Sequence, residues 1–270
     1  MADETEAGLA WQIGVWDRMA EIYQREIDRR FAPVIDGLLD RAMLRPGASI
    51  LDLGTGTGSV ALAAAPRIGP TGRTMAVDIS SEMLNKARAR IAASSFGNLI
   101  LKEGSAEAIP AEAASFDAVL ASLSLMYVID RDGAAREIAR VLRPGGRFVA
   151  AVWAGPENAD IVLFQQTAGS FAATPPVRGV GPGALADPEP FLAQLAAAGL
   201  TASYETEVTR FQFPNFAQAW AALAGVTAAA MDVAIQDQAK AAVMERMWAR
   251  PSLAREFRNA AHFITAAKPR

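Results

Sequence analysis

Ile50-Leu51-Asp52-Leu53-Gly54-Thr55-Gly56-Thr57-Gly58 is the stretch whose reading decides the fold. With Ser49 its first half makes a short apolar run, the signature of a strand buried on both faces. Its second half alternates glycine with threonine, and an alanine-rich segment from Ser59 to Arg67 reads as a helix. Glycines at such a junction let the chain turn sharply. They also let backbone N–H groups come close to a ligand at a helix N-terminus.

Downstream, the same strand-helix unit recurs. Thr74 to Val77 is a second strand ending on Asp78, and Ser80 is placed to cap the next helix with Glu82 in its first turn. That helix runs to about Ala92. Asn98 to Lys102 is a third strand and Phe116 to Ala121 a fourth. A helix follows from Gly133 to Leu142, then a turn at Arg143-Pro144-Gly145-Gly146, and a fifth strand from Arg147 to Trp153. Strict alternation predicts a parallel sheet covered by helices on both faces, with right-handed crossovers.

Upstream, Trp16, Met19, Tyr23, Ile27 and Phe31 recur at spacings of three and four and make the apolar stripe of a helix. Pro33 is expected to interrupt it, with a second segment reaching about Leu44. Beyond Trp153 the pattern loosens. Gly155 to Pro190, with Pro156, Pro175, Pro176, Pro182, Pro188 and Pro190, reads as loops around a short helix from Ile161 to Phe171. Phe191 to Gly199 is a helix, Thr201 to Phe213 a strand, Phe216 to Trp248 a broken helical region, and Ala260 to Ala266 a short last strand. The chain thus divides into a helical cap (1–45), a core (46–154) and a remainder (155–270) that adds strands and inserted segments.

Composition narrows the function. Half of the 270 residues are apolar, and the net charge is −3 with no basic run, which argues against a surface for nucleic acid. With no cysteine, disulfides, thiolate metal sites and cysteine nucleophiles are excluded, and no metal site is expected. The acidic N-terminus lacks a basic, then apolar leader, so the expected location is cytoplasmic. Phe211 to Met231 carries no charge, but Gln212, Pro214, Asn215, Gln218, Gly225 and its many alanines fit a strand end and an apolar helix better than a membrane span.

Asp78 stands where a carboxylate can accept both hydrogen bonds of a ribose diol. The glycine spacing is D-x-G-x-G-x-G and misses the third glycine of the dinucleotide pattern G-x-G-x-x-G. Asp52 would also repel a pyrophosphate, whereas a cofactor with an amino group and a sulfonium raises no such conflict. A nucleotide-dependent oxidoreductase is therefore the weaker reading.

Five segments in order resemble class I S-adenosylmethionine-dependent methyltransferases, in the flavour of the ubiquinone and menaquinone C-methyltransferases. They are Ile50 to Gly58, Ala76 to Leu84, Glu103 to Pro110, Phe116 to Asp130 and Arg136 to Phe148, spread over about 100 residues of chain. The resemblance implies a Rossmann-like α/β fold: a seven-stranded, mostly parallel sheet of order 3-2-1-4-5-7-6, the seventh strand antiparallel, with a helical lid. It implies S-adenosylmethionine as cofactor. Gly54, Thr55, Gly56 and Gly58 would line its methionine and ribose portion, and Asp52 would reach its amino group, directly or through water. Asp78 would bind the ribose, Ile79 and Met83 would sandwich adenine, and Ser105, Ala106 and Glu107 would flank the adenine edge. Ala121 and Ser122 would pass under the sulfonium, and Tyr23 would contact the cofactor from the cap.

Two positions depart from that family's pattern. Ser105 replaces a frequent Asp, and Met126-Tyr127 replaces a frequent His pair, leaving Tyr127 as a weak catalytic candidate. His262, the single histidine, reads as structural. Ser122-Leu123-Ser124-Leu125 lacks the motif of base-amine methylation, and the segments after the fifth strand are rich in Phe, Trp, Met and Ala. The implied acceptor is a small apolar or aromatic molecule, methylated at carbon or oxygen, and a homodimer is compatible with the sequence. The alternative is a protein of the same fold that binds the cofactor without methyl transfer, as a regulator or a cyclase.

Overall fold

A computed structural model describes residues 2–172, 179–228 and 231–270 of the chain. Its centre is β1 (Ser49–Leu53), with Ile50 and Leu51 wholly buried because helices cover both faces of the sheet. Around it stand β2 (Arg73–Asp78), β3 (Leu99–Glu103), β4 (Phe116–Ser122), β5 (Leu142–Trp153), β6 (Thr201–Phe213) and β7 (Arg255–Ala267). The sheet order is β3-β2-β1-β4-β5-β7-β6, with β1 to β5 parallel and β7 antiparallel to both of its neighbours. This is the Rossmann-like order expected from the sequence. The order of strands reverses at β1, with β2 on one side and β4 on the other, and this leaves a crevice beyond the carboxyl ends of β1 and β4, where α/β sheets bind ligands.

The crossover helices are α3 (Ser59–Ile68), α4 (Ser81–Ala92) and α5 (Arg131–Val141). Ser80 caps α4, its Oγ accepting the Met83 N–H at 3.1 Å, and Asp130 caps α5 through the Gly133 N–H at 2.8 Å. That second cap starts α5 two residues earlier than the apolar pattern alone indicates.

Three expectations need correction. First, Pro33 does not break the N-terminal helix. α1 (Ala2–Ile22) runs through a π-helical turn at Tyr23–Ile27 directly into α2 (Asp28–Ala42), with Pro33 inside α2. The Asp28 N–H donates to the Tyr23 carbonyl, so the irregularity is one widened turn upstream of the proline. Second, Arg143-Pro144-Gly145-Gly146 is a bulge within β5 rather than a turn before it. Pairing passes from Phe116 opposite Leu142 to Ala118 opposite Arg147, and the Gly145 N–H donates to the Lys268 carbonyl at 3.0 Å. Third, β7 begins at Arg255, five residues before the apolar run. Phe257 and Asn259 point inward while Glu256 and Arg258 point out, an alternation that charged residues disguise.

The remaining helices are α6 (Asp160–Gly169), α7 (Glu189–Ala197), α8 (Phe216–Leu223), α9 (Gly225–Ala228) and α10 (Val233–Met247). Pro175 and Pro176, read as loop, lie outside the described residues, as do positions 229–230 in the broken helical region. Among the described residues no helix is long and apolar enough to cross a membrane.

Candidate functional site

The turn after β1 is fixed from below. Gly54 and Thr55 both donate their N–H to the Val77 carbonyl, at 2.8 and 2.9 Å, which ties the turn to β2. Gly54 has φ +72°, and a Cβ there would run into the Ser124 side chain, whose Oγ lies 2.8 Å from that position. Ser124 in turn donates to the Leu53 carbonyl at 2.9 Å. Gly56, at φ +55°, is open on its outer side. The nearest atom to a Cβ there would be the Met83 Sδ at 4.0 Å.

Asp78 is aimed by the same turn. Its Oδ2 accepts the Gly56 N–H at 2.7 Å and its Oδ1 the Ser80 N–H at 3.0 Å. Burial pushes this carboxyl's pKa up, and the backbone donors of Ser80, Gly56 and Ile79 pull against that shift. Each carboxylate oxygen keeps a second lone pair for a ligand.

Above the turn opens a cleft of about 830 Å³, counted to its open mouth. Of the residues expected to touch a cofactor, the structure brings Gly54, Gly56, Asp78, Ile79, Met83, Ala106, Glu107, Ser122 and Tyr23 into its lining, together with Tyr127. Asp52, Thr55, Gly58, Ser105 and Ala121 are not in it, each for a local reason. Asp52 is completely buried beneath the turn, where its Oδ2 accepts from Thr55 Oγ1 at 2.6 Å and from the Ala61 N–H at 3.0 Å. Gly58 faces α4, where an added Cβ would sit 3.2 Å from the Ala87 Cβ. Ser105 bridges to Ala108, and Ala121 is buried within β4.

The sequence reading missed Leu9, Gln12 and Trp16 of α1 as lining residues, along with Leu53, Gly104, Leu123, Ser124, Leu125, Val128 and Ile129. The signal for α1 was present. Leu9, Gln12, Trp16 and Tyr23 continue the predicted stripe toward the N-terminus at spacings of three, four and seven. Gln12 Nε2 donates to the Tyr127 carbonyl at 2.7 Å, Asp17 Oδ1 accepts from Ser80 Oγ at 2.6 Å, and Lys86 pairs with Glu21. At the π-helical junction, Arg90 Nη1 binds Asp28 Oδ2 at 2.8 Å and the Thr57 carbonyl at 2.9 Å. The helix is thereby held over the cleft at both ends.

Neither tyrosine at the cleft is set up as a base. Burial raises the Tyr127 phenol, and burial with Asp28 nearby raises that of Tyr23, so both stay protonated at neutral pH. His262 is structural: Nδ1 meets Thr206 Oγ1 at 2.8 Å and Nε2 the Ala186 carbonyl at 3.0 Å. Among the described residues no group of acids and histidine could hold a metal ion.

Asp52 gives a pH-dependent stability. Desolvation pushes its carboxyl from 3.8 to about 7, against the bonds from Thr55 and Ala61. Below 3.8 it is protonated whether the chain is folded or not. Between 3.8 and about 7 only the folded chain keeps the proton, so stability falls with rising pH by about 1.4 kcal/mol per unit and levels off above that window. Asp52→Asn removes the linkage. Relative to wild type, the variant is expected to gain about 2–3 kcal/mol between pH 5 and pH 8, read from urea midpoints. Parallel wild-type and variant profiles would show that Asp52 does not titrate in this window.

Comparison with known proteins agrees with this geometry. Residues 51–150 match the methyltransferase domain family. The chain is 37% identical over 138 residues, 51% of its length and 55% of the other's, to a ubiquinone/menaquinone biosynthesis C-methyltransferase of Hahella chejuensis. It is 38% identical over 133 residues, 49% of its length and 48% of the other's, to nocamycin O-methyltransferase of Saccharothrix syringae. The chain therefore spans about half the length of the curated relatives it matches, and it resembles class I methyltransferases of the ubiquinone and menaquinone group. Among solved structures, the YcgJ protein of Bacillus subtilis superposes with a TM-score of 0.65 at 20% identity, covering 87% of this chain and 98% of that one. The [4+2]-cyclase SpnF superposes with a TM-score of 0.56 at 24% identity, covering 92% and 82%. At such identities the methyltransferase-like fold is what is shared, and a cyclase shares it too.

Proposed function

We propose that this chain transfers a methyl group from S-adenosylmethionine to a small apolar or aromatic acceptor, at carbon or oxygen. The observation that carries this reading is Asp78, aimed into the cleft by the Gly56 and Ser80 N–H groups beside a bare glycine backbone. The lining fits the cofactor in its parts. Asp78 suits a ribose diol, Ile79 and Met83 are apolar flanks for adenine, and the open side of Gly56 leaves room for a methionyl chain. Asp52 acts through Thr55 and Ala61, holding the turn's shape rather than touching the amino group.

When bound, S-adenosylmethionine supplies a methyl group already activated for in-line displacement. The chain's own part is to hold, orient and keep dry, which proximity effects make worth several kcal/mol. Within residues 1–45 the cap is α1 with the π-helical turn, which close the cleft with Leu9, Gln12, Trp16 and Tyr23. No base is supplied by Tyr127, because its phenol is held protonated. Tyr127→Phe is accordingly expected to keep methyl transfer within about fivefold of wild type, whereas loss of a general base costs about a hundredfold or more. A fall of that size would make Tyr127 a catalytic residue.

The direct test is calorimetric titration with S-adenosylhomocysteine, with NAD as control, followed by transfer of labelled methyl to a panel of phenols and other apolar acceptors. Micromolar binding of the first and none of the second is the expected result. Absence of S-adenosylhomocysteine binding would overturn the cofactor assignment. Turnover confined to polar amines would overturn the acceptor class.

A further inference from the structure

The polar cluster at the π-helical turn lies outside the cleft and ties two of its walls together. Asp28 Oδ2 accepts from Thr57 Oγ1 at 2.6 Å and from Arg90 Nη1 at 2.8 Å. The same Nη1 stands 2.9 Å from the Thr57 carbonyl, Thr57 Oγ1 and Ser59 Oγ. None of Asp28, Thr57 and Arg90 lines the cleft, and Thr57 is only 1% exposed. A carboxylate held this far from water is costly unless paired, and removing one partner leaves the other charge uncompensated. Burial accordingly raises the pKa of the Asp28 carboxyl, against the pull of the Thr57 hydroxyl and the Arg90 guanidinium.

From Asp28 the bonds lead both ways to residues that do line the cleft. On one side Thr57 follows Gly56, whose N–H binds Asp78 Oδ2 at 2.7 Å. On the other, the Asp28 N–H closes the widened turn on the Tyr23 carbonyl. One extra residue in a turn rotates all that precedes it by about 100° relative to an unbroken α-helix, so this turn sets which face of α1 looks into the cleft. Apolar packing divides at the same place. Val15, Met19 and Ala20 form a small cluster with Met83, apart from the main core, which takes in the helix from Ile27 onward. The cap is thus docked on a cluster of its own, and the turn that aims it is pinned to the glycine turn by one carboxylate.

We infer that Asp28 is a positioning residue that couples cap closure to cofactor binding, by holding Thr57 of the glycine turn and the widened turn of the cap in one arrangement. The inference rests on the reading of the cleft as an S-adenosylmethionine site. Coupling of this kind is reciprocal. A ligand that fixes the glycine turn tightens the cap, and a loosened cap weakens the ligand by the same factor. Asp28 lies outside residues 51–150, the part matched by the domain family, whereas Thr57 and Arg90 lie inside it. The latch therefore fastens a flanking segment to the shared core.

The test follows amide hydrogen exchange in residues 7–22 of α1, with S-adenosylhomocysteine affinity measured by calorimetry on the full chain. Without ligand, Asp28→Asn and Thr57→Val should speed exchange there at least about fivefold while leaving α5 within about twofold of wild type. Both should weaken S-adenosylhomocysteine at least about fivefold, although neither residue lines the cleft. Thr57→Ser keeps the hydroxyl and should return both readouts to within about twofold of wild type. In wild type, saturating S-adenosylhomocysteine should slow α1 exchange, and in Thr57→Val that slowing should shrink by the factor lost in affinity. A cluster that only stabilises the fold would speed exchange in α5 as well and leave affinity unchanged, which overturns the proposal. Equal loss of affinity in Thr57→Ser and Thr57→Val overturns it too. If wild type does not bind S-adenosylhomocysteine, the cofactor reading fails and the coupling with it. If wild type binds and both variants match it within about twofold, the coupling alone fails. Should Asp28→Asn fail to fold, the two Thr57 variants decide alone.

Discussion

Asp78→Ala is expected to weaken S-adenosylhomocysteine binding by about a hundredfold or more in a calorimetric titration. The substitution removes a charged acceptor placed for two ribose hydroxyls, and hydrogen bonds to charged groups are worth about 1.5–3 kcal/mol each. Their joint loss, about 3–6 kcal/mol, corresponds to two to four powers of ten in affinity. A second loss acts on the site itself. The Gly56 and Ser80 N–H groups that aim the carboxylate would both lose their acceptor, loosening the turn as well as emptying it. Asp78→Asn separates the two effects, because it keeps an acceptor oxygen and the shape but not the charge. Its affinity should fall between wild type and alanine. A change of less than threefold for Asp78→Ala would remove Asp78 from the binding site.

Gly54→Ala should be the most destabilising single-methyl change in the glycine turn. At φ +72° an L-residue meets left-handed strain of about 1–2 kcal/mol. The new methyl also collides with Ser124, which is fixed by its bond to the Leu53 carbonyl, adding about 1–3 kcal/mol of overpacking. For a chain of this length each kcal/mol lowers the midpoint by about 2–4 °C, so a drop of about 5–15 °C is expected in thermal unfolding. Gly199→Ala is the control. Its φ of +86° is also positive but nothing lies within 4 Å of the added Cβ, so only the strain should appear. Equal shifts for both variants would show that contact with Ser124 is not what demands glycine.

Legibility in the sequence followed how local each cause was. The bounds of β1 and β6 could be read residue for residue, since an apolar run stopped by glycines and an alternating run stopped by Pro214 are short-range signals. Ser80 as cap and Asp78 at the strand end were readable for the same reason. Pro33 misled because a single widened turn upstream lets the helix continue, and no residue type announces a π-helical turn. Arg255 to Asn259 hid as a strand because its outward residues are charged. In the site, the residues that line the cleft from the glycine turn, β2 and α4 were found. Asp52, expected to reach the ligand directly or through water, lies buried under the turn, since the motif gives spacing and not direction. Trp153, Gln165 and Ala222 meet the stripe of Trp16 and Phe31 only through the tertiary fold, and nothing in the sequence announces it.

The position of β7 between β5 and β6 sets an order of assembly during synthesis. Strands β1 to β5 can pair as they emerge, each beside one already made. β6 emerges next with no partner, because its thirteen residues hydrogen-bond along β7 alone. Until Arg255 and the residues after it are available, β5 has a bare edge and β6 has two. Exposed strand edges of that kind invite pairing with other chains. The newborn chain is thus most exposed to aggregation while α8 to α10 are being added, and ribosomal stalling in that stretch should be more harmful to it than stalling anywhere before β5.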